Sequence, residues 1–274
     1  MRDLARAVGA GQPRRDPGVL NPARVRVPRA GHALLLHGAG GGGWEWAIWS
    51  GVFEAAGLAV SAPDLVPAGA GLAATGIEDY RAQAEAALRV LPRPRLLVGA
   101  SLGGLLAAAI ARGEADALVL VNPLPPAPWA AELPARDWPA RVPWARLARL
   151  DSTRRAIPDA DPASALYAFR RWRDESGRVL RQAHEGLDLP PPDCPVLCVA
   201  SGQDRDVPPG VTDGLARAWG ADRMALPGAS HVGPLLGREA VACAEAVLAW
   251  WRRSAVAGRP RAPELRSPAS PTRR

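Results

Sequence analysis

A chain of 274 residues, 48% hydrophobic and 22% charged, suits one large globular domain with ample material for a buried core. The net charge of +7 suggests nucleic-acid binding, but its distribution argues against a built basic face. Residues 1–30 hold seven Arg and two Asp, residues 252–274 hold seven Arg and one Glu, and the stretch between carries −4.

Residues 1–30 read as a loose, Arg- and Pro-rich lead-in without the continuous apolar run of a signal peptide. "ALLLH" (33–37) is a short apolar run that ends in glycines, the pattern of a buried strand. "WEWAIWSGVFEAAG" (44–57) has helical spacing and a Gly stop, and "LAVSAPD" (58–64) is a second strand. An amphipathic helix follows over 76–91, then a strand at 95–101 and a small-residue helix at 102–111. The apolar stretch "LLAAAIA" (105–111) falls far short of the ~20 residues needed to span a bilayer. "ALVLVNP" (117–123) is the next strand. This β-α-β-α rhythm with continuous apolar strands predicts an α/β fold, a mostly parallel doubly wound sheet with helices on both faces.

The rhythm breaks at Pro123. Residues 124–190 contain Trp129, Trp138, Trp144 and Trp172, many Arg and scattered Pro; no strand reads clearly, and 162–186 reads as helical. That stretch is expected to form an inserted helical cap. The α/β pattern resumes with a strand at 195–201, a helix near 209–218, a strand at 223–228 and a final helix at 235–252. The predicted organisation is a lead-in over 1–30, a core formed by 31–123 and 191–253, the cap at 124–190, and a basic tail of low order over 254–274. Cys194, Cys198 and Cys243 are odd in number and lack zinc-type spacing, which points to a reducing, cytoplasmic setting.

Two glycine-rich segments compete to define the chemistry. Gly38, Gly40 and Gly43 satisfy G-x-G-x-x-G, and Asp64 lies 21 positions beyond, as in a dinucleotide-binding fingerprint. Gly99-Ala100-Ser101-Leu102-Gly103 is a G-x-S-x-G at a strand-to-helix junction, the context in which a serine is lifted above the strand ends as a nucleophile. A serine hydroxyl does not ionise near neutral pH, so it needs a histidine base and an acid to orient that histidine. The chain has four histidines: His32, His37, His184 and His231. His231 lies in the loop after the last strand, and Asp204 in the loop after the preceding one, so both should reach the same sheet edge as Ser101. Asp206 competes with Asp204, which is favoured because it lies nearer the strand end. With the serine, acid and histidine loops converging, the match to a dinucleotide loop reads as coincidence, and Asp64 becomes a turn residue.

The segments "LLLHGAGGGGW", "APDL", "LLVGASLGG", "LVLVNP", "SGQDRDVPP" and "LPGASHVGPL", in this order over 31–253, resemble the α/β-hydrolase fold superfamily, its small esterase- and lipase-like members with a helical cap. The resemblance implies Ser101 as nucleophile, His231 as base and Asp204 as the orienting acid. It further implies an oxyanion hole made from the backbone N–H groups of Ala39 and Leu102, with His37 structural. The acid motif is one residue tighter after its Gly than is usual, so Asp206 stays in play. The implied activity is cleavage of a carboxylic ester through an acyl-enzyme. The same triad could serve a thioester, a lactone or a C–C bond, and a binding protein that kept the fold is a further alternative. The reaction calls for neither cofactor nor metal, and the expected partner is a small ester-like molecule. Trp44 and Trp129 are the aromatics expected to line its pocket.

Overall fold

In the computed structural model, residues 31–257 are described. The lead-in expected over 1–30 and most of the tail expected over 254–274 lie outside them. The chain forms β1 (His32–Leu36), α1 (Ala47–Ala55), β2 (Ala59–Ser61), α2 (Ile77–Arg89), β3 (Arg95–Ala100), α3 (Leu102–Ile110) and β4 (Ala117–Val121). Then come β5 (Arg141–Val142), α4 (Leu150–Ala156), α5 (Pro162–Phe169), β6 (Glu175–Ser176) and α6 (Gly177–Glu185). The last elements are β7 (Val196–Ser201), α7 (Pro209–Trp219), β8 (Asp222–Leu226), α8 (Gly233–Leu236) and α9 (Ala240–Ala257).

Six strands form one sheet in the order β2-β1-β3-β4-β7-β8, and every pairing is parallel. Apolar strands of this kind bury both faces, and the register shows it. Leu34, Leu97, Leu118 and Val196 line up across four strands, and their side chains belong to the core beneath α2, α3 and α7. One residue further along each strand, Leu35, Val98, Val119 and Leu197 face the opposite core, filled by Trp46, Trp49 and Phe53 near α1 and by the apolar face of α9. The doubly wound sheet expected from the sequence is therefore present.

Local boundaries differ where glycines and turns interrupt a helical pattern. The stretch 162–186 is two helices, α5 and α6, separated by a turn and the short strand β6. Ser176 caps α6 by accepting from Val179 N–H at 3.3 Å. Strand β6 pairs antiparallel with β5, so the segment between β4 and β7 contains a two-stranded ribbon that the sequence reading did not find. Likewise the last helix is split at Gly237 into α8 and α9. The three thiols are free; burial pushes Cys198 and Cys243 up to about 12, which leaves them inert. No helix among the described residues is long and apolar enough to cross a membrane.

Candidate active site

At the carboxyl end of β3 the chain turns sharply into α3. Ser101 sits at the turn with φ 52° and ψ −120°, a left-handed conformation that costs a non-glycine residue of order 1–3 kcal/mol. The turn is possible because its neighbours are glycines. A Cβ on Gly99 would lie 2.1 Å from the Gly103 carbonyl oxygen, and one on Gly103 would lie 2.2 Å from the Leu36 carbonyl oxygen.

Asp204 and His231 come from the loops after β7 and β8. His231 Nδ1 lies 2.7 Å from Asp204 Oδ2, and the Asp204 side chain is fully buried. The other Asp204 oxygen, Oδ1, accepts from Asp206 N–H at 2.8 Å and Val207 N–H at 2.9 Å. A carboxylate so held is the acceptor, so the imidazole carries its proton on Nδ1 and leaves Nε2 bare. Asp206 instead pairs with Arg136 at 2.5 Å and is half exposed. The geometry thus separates two acids that the sequence left close. Burial pulls the His231 imidazole down, but the Asp204 hydrogen bond, with the charges of Asp204 and Asp206, outweighs it and raises His231 above the usual 6.5.

Two residues, the buried Asn122 and the half-buried Asp159, fix the histidine loop. Asn122, at the end of β4, donates from Nδ2 to Ser201 Oγ at 2.8 Å and to the His231 carbonyl at 2.7 Å. Asp159 accepts from Ser230 Oγ at 2.5 Å and from Ser230 N–H at 3.1 Å. Neither was picked out from the sequence.

Opposite the serine lies the glycine loop. Its amides are taken up one by one: Gly38 N–H donates to Glu45, Gly40 N–H to Glu175, Gly41 N–H to the Gly38 carbonyl and Gly43 N–H to Asp64. Ala39 N–H donates to none of the described residues, and neither does Leu102 N–H at the start of α3. His37 closes the base of this loop. Its Nδ1–H donates to the Gly38 carbonyl at 2.8 Å, and its Nε2 accepts from Leu65 N–H at 2.9 Å. Burial holds its pKa down to about 4, so it stays neutral.

The segment just before α6 grips the same loop from above. Arg173 N–H donates to the Gly40 carbonyl at 2.7 Å, and its guanidinium reaches the Gly41 carbonyl and His37 Nε2. Glu175 joins Gly40 N–H (2.8 Å) to the Tyr80 hydroxyl on α2 (2.9 Å) and to Ser176 N–H (2.7 Å). Gly40 has φ +67°, and a Cβ there would lie 2.4 Å from the Trp144 ring, so glycine is required on both counts.

Ser101 and His231 line one cavity of about 340 Å³, together with Gly38, Ala39 and Glu45. Neither Ser101 Oγ nor His231 Nε2 is hydrogen-bonded to a described residue. The aromatic lining comes from Trp138, Trp144 and Trp172, with Leu124, Leu180 and Val232 beside them. Trp44 and Trp129, the aromatics expected there, are not among the lining residues. Trp44 is spent edge-on against Trp172 (5.2 Å) and Tyr167 (5.8 Å), and Trp129 packs edge-on against Trp219 (6.4 Å). Among the described residues, one group of metal-ligand type, Asp204, Asp206 and His231, draws its ligand atoms within 4.8 Å of one another. His231 Nδ1 already serves the hydrogen bond to Asp204.

Comparison with known proteins agrees with this architecture. No curated protein matches the chain. Among solved structures, a methylesterase from Arabidopsis superposes with a TM-score of 0.62 at 16% identity, covering 81% of this chain and 99% of that one. A pyrethroid hydrolase from Sphingobium faniae JZ-2 gives 0.61 at 21% identity, covering 82% and 99%. Tomato methylketone synthase I, complexed with 2-tridecanone, gives 0.65 at 16% identity, covering 82% and 98%. At such identities the likeness is one of fold. The family model described as the alpha/beta hydrolase family matches residues 33–246. The chain belongs to the alpha/beta hydrolase family.

Proposed function

We propose that the protein is a serine hydrolase that cleaves carboxylic esters of small apolar molecules through an acyl-enzyme. The observation that carries this reading is the His231–Asp204 hydrogen bond of 2.7 Å, set in a cavity shared with a serine held at a strained strand-to-helix turn. Ser101 Oγ attacks the ester carbonyl while His231 Nε2 takes its proton, and Asp204 steadies the imidazolium. The carbonyl oxygen becomes an oxyanion, for which the free N–H groups of Ala39 and Leu102 are the available donors; each such donor is typically worth about 10²–10³ in rate. The alcohol leaves with the proton from His231. Water then attacks the acyl-enzyme by the same route, releasing the acid and restoring Ser101. The role of a cap falls to residues 124–190, which supply the aromatic wall of the cavity.

The apolar lining and three tryptophans favour an ester with a bulky or aromatic group over a short acetate. A panel of p-nitrophenyl esters of graded chain length, with thioesters and lactones alongside, tests the substrate class. Trp138→Ala is expected to lower kcat/KM for an aryl or long-chain ester about tenfold, equivalent to ~1.4 kcal/mol of lost apolar contact. The acetate ester should change less than about threefold. Equal losses on both would assign the tryptophan to packing alone.

The base must be unprotonated to act. Because the His231 pKa is raised, kcat/KM should climb with pH through a value above 6.5 and stay low beneath it. A pH–rate profile between pH 5 and pH 8 would show this limb, and a rate already flat at pH 6 would refute it.

A further inference from the structure

Glu45 is a buried acid of the cavity that the triad mechanism leaves unexplained. It lies in "WEW", between two tryptophans, and is 2% exposed. Its Oε2 accepts from Gly38 N–H at 3.0 Å, while Oε1 carries no hydrogen bond from any described residue. The loop is shaped around this carboxyl, since a Cβ on Gly41 would lie 2.1 Å from Oε1. It is also close to the chemistry: a Cβ on Gly38 would lie 3.4 Å from Ser101 Cβ and 3.9 Å from Glu45 Oε2. Glu45 lines the cavity beside the nucleophile, and its buried carboxyl has one oxygen for which the described residues supply no hydrogen-bonding mate.

We propose that Glu45 is a specificity-determining residue whose carboxyl donates a hydrogen bond to an uncharged acceptor oxygen of the substrate, a few bonds from the scissile carbonyl. This rests on the serine hydrolase reading and narrows its substrate class to apolar esters with a second oxygen, as an ether or carbonyl, near the ester. The donor exists because the group is held neutral. Burial pushes its pKa up to about 8, against the opposing pull of the Gly38 N–H, His231 and Arg173. Of these, Arg173, from the stretch before β6, is a fixed charge and His231, from the loop after β8, is charged only when protonated; His37, next to Gly38, is neutral. Below pH 8 Oε1–H can donate. Above it, an anion would repel both the acceptor oxygen and the oxyanion.

The test compares p-nitrophenyl methoxyacetate with p-nitrophenyl butanoate, acyl groups of equal length that differ in one ether oxygen. At pH 7 the ratio of their kcat/KM values should be about tenfold higher in the wild type than in Glu45→Met, the usual worth of one hydrogen bond. Glu45→Gln can still accept from Gly38 N–H and turn its NH₂ to the cavity, so it should keep the wild-type ratio within about threefold. Between pH 7 and pH 9.5 the wild-type ratio should collapse toward the Met value, while the Gln ratio stays flat; a residue with a merely structural role would show neither effect. Identical ratios in wild type and Met, or a wild-type ratio independent of pH, would overturn the proposal. If Glu45→Met does not fold, the pH series on wild type and Glu45→Gln decides alone. Labelling of the wild type with a fluorophosphonate separates the two readings. A labelled enzyme with a flat ratio defeats the role of Glu45, and an unlabelled folded enzyme defeats the serine hydrolase itself.

Discussion

Ser101→Ala should reduce ester hydrolysis by about 10⁶ in kcat, the scale of nucleophile removal in a Ser-His-Asp hydrolase, and should abolish fluorophosphonate labelling. The fold should survive, because the variant deletes one hydroxyl that makes no hydrogen bond with a described residue. The backbone strain at φ 52° remains, since alanine is no freer than serine there. Circular dichroism and the urea midpoint would verify that the protein is intact. Substantial hydrolysis by the folded mutant, measured on material free of wild type, would sink the assignment.

The second large effect separates two neighbouring acids. Asp204→Asn should lower kcat about 10⁴-fold, because an amide at that position accepts poorly from Nδ1–H and lets the imidazole take the wrong tautomer. The acid limb of the pH profile should also move down, since the His231 pKa loses the partner that raises it. Asp206→Asn should cost only a few-fold. It breaks an exposed pair with Arg136, and such pairs are worth about 0–1 kcal/mol. If the two substitutions had comparable effects, the His231–Asp204 bond would not be the working one.

Much of this site was legible in the sequence because the chemistry is restrictive. A serine between glycines at a strand end needs a histidine, and the chain offers four. Of these, His231 alone follows a late strand, and it meets the acid ahead of it. The strands were legible for a similar reason: a parallel strand buried on both faces must be apolar throughout, as Leu34–Leu36 and Leu118–Leu120 are. The choice between Asp204 and Asp206 was open because two residues of spacing say nothing about which side chain folds back under the loop. That is settled locally by Asp206 and Val207 N–H groups donating to Asp204 Oδ1. The tryptophans misled because an aromatic near a site reads alike whether it faces the cavity or another ring. Trp44 is captured by Trp172 and Tyr167, contacts across more than a hundred residues that no local pattern encodes. The ribbon of β5 and β6 has two residues per strand, too few for an alternating signature. Glu45 went unnoticed as one polar residue in a helical stretch. The available signal was an acid flanked by two tryptophans immediately after four glycines, a poor place for a solvated side chain.

Arg173 and Glu175 do more than decorate the glycine loop. They hold the Gly40 amide, the Gly40 carbonyl and the Gly41 carbonyl, all just beyond the one amide in Gly38–Gly41 that donates to no described residue, that of Ala39. The stretch from Arg173 to Ser176 therefore works as an interlock. Were it to swing away to admit a large substrate, it would release the loop at the same moment, and the enzyme would be open but disarmed. Elsewhere on the cavity lining, Arg136 and Asp206 form an exposed pair that touches no part of the glycine loop and costs little to part.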